Sequence, residues 1–164
     1  MKIMKRVIVI FTLLITLIML IIPVFAVPSR RNISNQNLSK HLYLFEKNNA
    51  YLFVEDGAWG KLNIDKCIFN AHNLEKCVSY TLTIYSGCYN VYLGEGVTDC
   101  EGNIHISFSY EALSEVPVVR NPDGSVAIWL VLSEDLACYG YVRTFIRWRP
   151  VEYLFEFNCV LIPV

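Results

Sequence analysis

Six cysteines, Cys67, Cys77, Cys88, Cys100, Cys138 and Cys159, are the residues of this chain with the most chemistry to offer. The gaps between them hold nine, ten, eleven, thirty-seven and twenty residues, with no Cys-x-x-Cys and no zinc-type spacing. No metal or other cofactor is therefore expected. An even set of cysteines in an exported chain reads instead as a disulfide framework. Cys67 with Cys77, and Cys88 with Cys100, would each close a short loop.

The other candidate groups reduce to ordinary surface chemistry. His41, His72 and His105 have no metal-ligand spacing, and neither Gly-x-Ser-x-Gly nor His-Glu-x-x-His occurs. His105 shares a strand face with Ser107 and Ser109, the beginnings of a base–nucleophile pair, but no motif anchors it. Glu95, Asp99 and Glu101 stand among Gly94, Gly96 and Gly102. Hard oxygen ligands on a loop suit calcium, yet the EF-hand spacing is missing and an acidic turn accounts for them. No enzyme is expected. The sharpest binding signal is the basic–aromatic strip of Tyr141, Arg143, Phe145, Arg147 and Arg149, because arginine and aromatic side chains dominate interface hot spots. Tyr141, Phe145, Arg149 and the facing Leu154 are the expected partner-binding residues.

Period-two alternation over residues 140–148 and 151–162 predicts a hairpin turning at Arg149 and Pro150. In that register Arg147 lies opposite Glu152 and Arg143 opposite Glu156, with Phe145 and Leu154 left as an exposed apolar pair. Strand patterns recur at 42–46, 50–55, 61–66, 78–85, 89–93 and 103–110. Residues 69–76 allow one short helix or a loop. Asn121-Pro122-Asp123-Gly124 is the strongest turn signal, joining 116–120 to the doubly apolar run 125–132. Eight to ten short strands spaced by turns predict an all-β fold: a single disulfide-stapled antiparallel β-sandwich, immunoglobulin-like in the loose sense.

Residues 1–26 have the layout of a secretory signal peptide: Lys2, Lys5 and Arg6, an apolar run over 7–22, Pro23, and a Val-x-Ala ending. Left uncleaved, the run is long enough to anchor the chain in a membrane. A polar lead-in, 27–40, carries the sequons of Asn32 and Asn37, both expected to be glycosylated. The β-domain spans 41–164. Residues 27–164 hold 11 basic and 15 acidic residues with no basic patch, which argues against nucleic acid. Together these features predict a secreted, non-enzymatic module recognising an extracellular protein or glycan, such as a host-directed effector or immune modulator. The alternative is a carrier holding a lipid or small apolar molecule between two sheets, in a cavity lined by Tyr80, Phe108, Phe155 and Phe157. The 22 Phe, Tyr and Trp residues suit either.

Overall fold

The computed structural model describes residues 41–122 and 124–156. The signal segment, the lead-in with Asn32 and Asn37, Phe157 and Cys159 lie outside the described residues. The fold is all-β. Ten antiparallel strands form one hydrogen-bonded sheet: β1 (His41–Glu46), β2 (Trp59–Asn63), β3 (Ile68–His72), β4 (Ser79–Tyr85), β5 (Asn90–Val97), β6 (Ile104–Ser107), β7 (Ala127–Leu132), β8 (Leu136–Tyr139), β9 (Val142–Phe145) and β10 (Leu154–Glu156). Their order in space is β6-β3-β2-β1-β10-β7-β4-β5-β9-β8. The helix α1 (Ala112–Glu115) is a single turn. The expected pair of separate sheets is not what forms. Instead β10 pairs with β1 on one side and β7 on the other, so the ladder runs on between the two halves.

The sheet curls, and its inner face is the core. Leu42 and Leu44 of β1, Leu62 of β2, Phe69 and Ala71 of β3, Leu82 and Ile84 of β4, and Ile128 and Leu130 of β7 are all buried there. Alternation along each strand puts one face inward, and burial of that face drives the collapse. The curl carries β5 up to β6. A Cβ placed on Gly94 would stand 2.7 Å from Cγ2 of Ile106 and 3.3 Å from the Ser107 carbonyl oxygen. Gly94 and Gly96 therefore do not end a strand at residue 93, as their type suggests. They continue β5 and let it approach β6 without side chains between them. A bulge between Leu82 and Thr83 on the β4–β5 ladder adds local twist to the same region.

Two further expectations are corrected. Residues 69–76 are neither helix nor loop at their start, because β3 pairs with β2 and with β6. The C-terminal hairpin does not form. β9 stops at Phe145, pairs with β8 and β5, and a tight turn at Pro150–Glu152 precedes β10. The cause is Asp135, whose side chain is fully buried. Arg149 Nε and Nη2 donate to its two carboxylate oxygens at 2.8 Å each, and the Tyr153 hydroxyl donates to Oδ2 at 2.7 Å. The Asp135 carbonyl accepts from Ile146 N at 2.9 Å. A buried carboxylate must gather such donors or lose its charge, and gathering them pulls residues 146–153 off the straight path of a hairpin. Arg147 accordingly reaches Glu134 and Asp135 at 3.6 and 3.8 Å, not Glu152. Arg143 lies 4.4 Å from the centre of the Tyr92 ring, not against Glu156.

Burial would raise the Asp135 pKa, but the bonds from Arg149 and Tyr153 outweigh it and hold the carboxyl below its usual range. With the folded value depressed, the contribution is present above the unfolded value of about 3.9 and is lost as pH falls through the folded one. Asp135→Asn should cost about 2–4 kcal/mol in urea unfolding at pH 7, and the gap from wild type should close on acidification below pH 4. Gly94→Ala should cost about 1–3 kcal/mol by forcing β5 from β6, and equal stability of the two proteins would refute that close approach.

Candidate functional site

The outer face of the sheet carries an aromatic row. Cross-strand pairing aligns His72, Trp59, Phe45, Phe155, Trp129 and Thr83 over β3, β2, β1, β10, β7 and β4. Paired residues of an antiparallel ladder project to the same side, so this is one continuous strip. Its two halves differ. Over β10 and β7 the strip is roofed by the 146–153 segment: Trp148 lies 5.9 Å from Trp129 and 4.9 Å from Phe145, and Tyr85 stacks on Trp129 at 4.1 Å. Over β1 and β2 no such roof is present among the described residues.

The other half is bounded by the loop between β1 and β2. Asn48 Oδ1 accepts from Ala50 N and Leu52 N at 2.9 and 3.1 Å, tightening the first turn. Glu46 pins the loop's far end: its Oε2 accepts from Ala58 N at 2.9 Å and its carbonyl from Val54 N at 3.1 Å. A Cβ on Gly57 would stand 2.9 Å from that Oε2, so only glycine passes there without displacement. The expected strand at 50–55 is reduced to a single bridge, Lys47 with Phe53. Between this loop and Trp59 lies a groove of about 600 Å³, lined by Phe45, Phe53, Val54, Glu55, Asp56, Gly57, Trp59 and Asn73. Phe45 and Phe53 meet edge to face at 5.6 Å, and Trp59 rests on His72 at 5.0 Å. Lys47 Nζ sits 5.0 Å from the ring centres of both Phe53 and Phe155. Chemically this is an apolar floor with two carboxylates and an amide at its rim.

The expected partner-binding residues do not form one exposed patch. Leu154 is in the core at 1% exposure. Arg149 is committed to Asp135, Glu134 and Glu152. Tyr141 and Phe145 are half-buried and pack on the core. The groove residues do carry a signal in the sequence: Tyr43 and Phe45, and Trp59 and Lys61, alternate with the inward Leu42, Leu44, Gly60 and Leu62. Aromatic residues on the outer positions of a strand are the mark of a half-covered face.

His105 does meet Ser107, whose Oγ lies 3.3 Å from Nε2, and Nδ1 lies 2.7 Å from Asn70 Oδ1. The order matches a nucleophile–base–orienter chain. All three side chains are exposed on the sheet-edge strand β6 and its neighbour, none of them lines the groove, and among the described residues nothing covers them to exclude water. Asp99 spends Oδ1 on the backbone N–H groups of Glu101 and Asn103 at 2.8 and 2.9 Å, which makes it a turn residue. Among the described residues no three of His, Cys, Asp and Glu converge on one point, and no helix is long and apolar enough to cross a membrane.

The five described cysteines are free thiols. The two expected short-loop pairings fail on distance, since Cys67 and Cys77 flank opposite ends of β3 and Cys88 and Cys100 opposite ends of β5. The eight residues of β5 alone span roughly 26 Å. Cys138 is exposed on β8. Comparison with protein families, curated proteins and solved structures found no match to this chain.

Glu156, at the end of β10, titrates abnormally. Burial pushes its carboxyl up to about 7, against the lowering pull of its own backbone N–H, Lys47 and the Trp129 indole. Its Oε2 is buried without a hydrogen-bond partner among the described residues. With the folded value raised, full stability is present below about pH 4.3, the unfolded value, and is lost as pH rises through 7. Glu156→Gln should therefore gain stability relative to wild type between pH 5 and 8, by up to about 3 kcal/mol at the upper end. Parallel pH profiles for the two proteins would show that Glu156 is solvated.

Proposed function

We propose that this chain is a secreted, non-enzymatic binding module and that its ligand is an extracellular glycan taken in the groove between Trp59 and the 48–57 loop. The observation that carries the reading is the pairing of ring faces with carboxylates. Sugars present apolar C–H faces, which stack on aromatic rings, and hydroxyl donors, which carboxylates and amides accept. Trp59 supplies the first, with Phe45 and Phe53 beside it in the lining, and Glu55, Asp56 and Asn73 supply the second. About 600 Å³ lies within the roughly 300–1,000 Å³ of ordinary small-ligand sites. The carrier alternative has less support. Tyr80 and Phe155 are packed at 2% and 5% exposure, and the hollow beside Tyr80 and Tyr153 measures only about 150 Å³.

Export through residues 1–26, glycosylation at Asn32 and Asn37, and action on a host surface belong to the same proposal. The test is a glycan array followed by calorimetry on the best binder. Trp59→Ala should lower affinity at least about tenfold, equal to about 1.4 kcal/mol. The exposed double variant Glu55→Gln, Asp56→Asn should weaken binding with its melting temperature unchanged, separating binding from folding. No glycan bound, or binding indifferent to both variants, refutes the reading. Capture by a protein through the exposed loop tip of Tyr51, Leu52 and Phe53 would then be the next hypothesis to examine.

A further inference from the structure

The turn entering β4 and the turn leaving β5 are zipped together at one end of the sheet. Beyond the last ladder pair, Ser79 with Val97, Thr98 N donates to the Val78 carbonyl at 2.9 Å. Thr98 Oγ1 accepts from Val78 N at 2.9 Å and donates to the Glu75 carbonyl at 2.6 Å. Further out, Leu74 N donates to the Gly102 carbonyl at 3.0 Å. That contact needs glycine: Gly102 has φ of +83°, and a Cβ there would collide with the Leu74 carbonyl oxygen. The second turn is held in shape by Asp99, which binds the N–H groups of Glu101 and Asn103. Cys77 and Cys100 sit between these two cross-links, one on each turn, and both are exposed.

We propose that Cys77 and Cys100 are a redox-active pair that closes to a disulfide linking the β3–β4 and β5–β6 turns. The cross-links on either side, Val78 with Thr98 and Leu74 with Gly102, hold the two residues next to each other. Their contact, with the charge that would develop on Cys100, holds the Cys77 thiol above its usual range. Cys77 also has φ of +59°, a left-handed conformation that an L-residue adopts only when its surroundings impose it. The oxidant is a small disulfide such as glutathione disulfide. One cysteine thiolate attacks a glutathione sulfur, forming a mixed disulfide and releasing one glutathione. The other cysteine then attacks the protein-bound sulfur and releases the second glutathione. Two protein thiols are oxidised, one glutathione disulfide is reduced, and the two protons leave on glutathione. This pairing does not depend on what the groove binds.

The test uses the full chain from eukaryotic secretory expression, reduced under native conditions and then equilibrated with glutathione disulfide. Digestion with Glu-C and chymotrypsin separates Cys77, Cys88 and Cys100 onto different peptides. A cross-linked pair carrying Cys77 and Cys100, two hydrogens lighter than its separated halves, is the expected product. Oxidation should raise the melting temperature by on the order of 10 °C, since the bond closes a loop of 24 residues. Cys77→Ser and Cys100→Ser should each abolish that rise, and Cys88→Ser should keep it. Recovery of Cys100 joined to Cys88, of either thiol only as a stable glutathione adduct, or of both as free thiols would overturn the proposal.

Discussion

The three residues of β10 hold the described sheet in one piece. On one side Leu44, Phe45 and Glu46 pair with Glu156, Phe155 and Leu154; on the other, Leu130 and Trp129 pair with Leu154 and Phe155. Without β10, the β6-β3-β2-β1 and β7-β4-β5-β9-β8 groups would be two sheets, each with an extra unpaired edge. So short a strand cannot set its own register by length. Register is set at its entrance, where Tyr153 is fixed by the Asp135 carboxylate and by Arg149, whose backbone N–H donates to the Tyr153 hydroxyl at 3.1 Å. A buried ionic cluster of this kind adds little net stability over an apolar replacement, because desolvation consumes most of the Coulomb gain. What it supplies is a unique geometry: Asp135 is satisfied only when Arg149 and Tyr153 arrive together, and that arrangement delivers Leu154 inward and Phe155 outward.

The same cluster explains why the fold is partly readable from its residues and partly not. Alternation assigns the faces of β4 and β6 correctly, because an inward Tyr80, Leu82, Ile84, Ile104 or Ile106 has only one way to be buried. The Asn-Pro-Asp-Gly signal likewise places the turn before β7, where Gly124 takes φ of +81°. Alternation says which face a residue occupies and nothing about which strand lies beside it. By pattern alone the C-terminal runs pair with each other, although β9 belongs to β5 and β8, and β10 to β1 and β7. In sequence Asp135 is only one of two adjacent acidic residues, with nothing to mark it as buried. Only the fold reveals that it is buried and that Arg147 and Arg149 turn towards it. Gly94 and Gly96 mislead in the opposite direction, since close approach between strands and a turn both call for glycine. Spacing fails for the cysteines for the same reason as for the strands: neighbours in sequence are separated by whole strands, and Cys77 and Cys100 lie together only because β4 and β5 pair.

With β10 in place, the outer face can be covered only in part. Its aromatic row is continuous, yet the 146–153 segment shields only the half it crosses, because Arg149 is tied to Asp135 beneath it. Trp148 roofs Trp129 and Phe155, and the ring pairs there add about 0.5–1.5 kcal/mol each beyond their burial. Across β1 and β2 the rings stay half-buried. Trp59 stays only half-buried, which forgoes part of the transfer energy that a fully covered side chain of its size would contribute, roughly 25 cal/mol for each Å² left wet. The loop beside it is held by Asn48 at one end and Glu46 at the other, with Gly57 admitting the Glu46 carboxylate. A groove walled by a loop so held leaves that energy at Trp59 to be recovered by whatever enters it. The proposed ligand therefore belongs at Trp59 and not at the arginine strip, where Arg147 and Arg149 are already paired with carboxylates of the same chain.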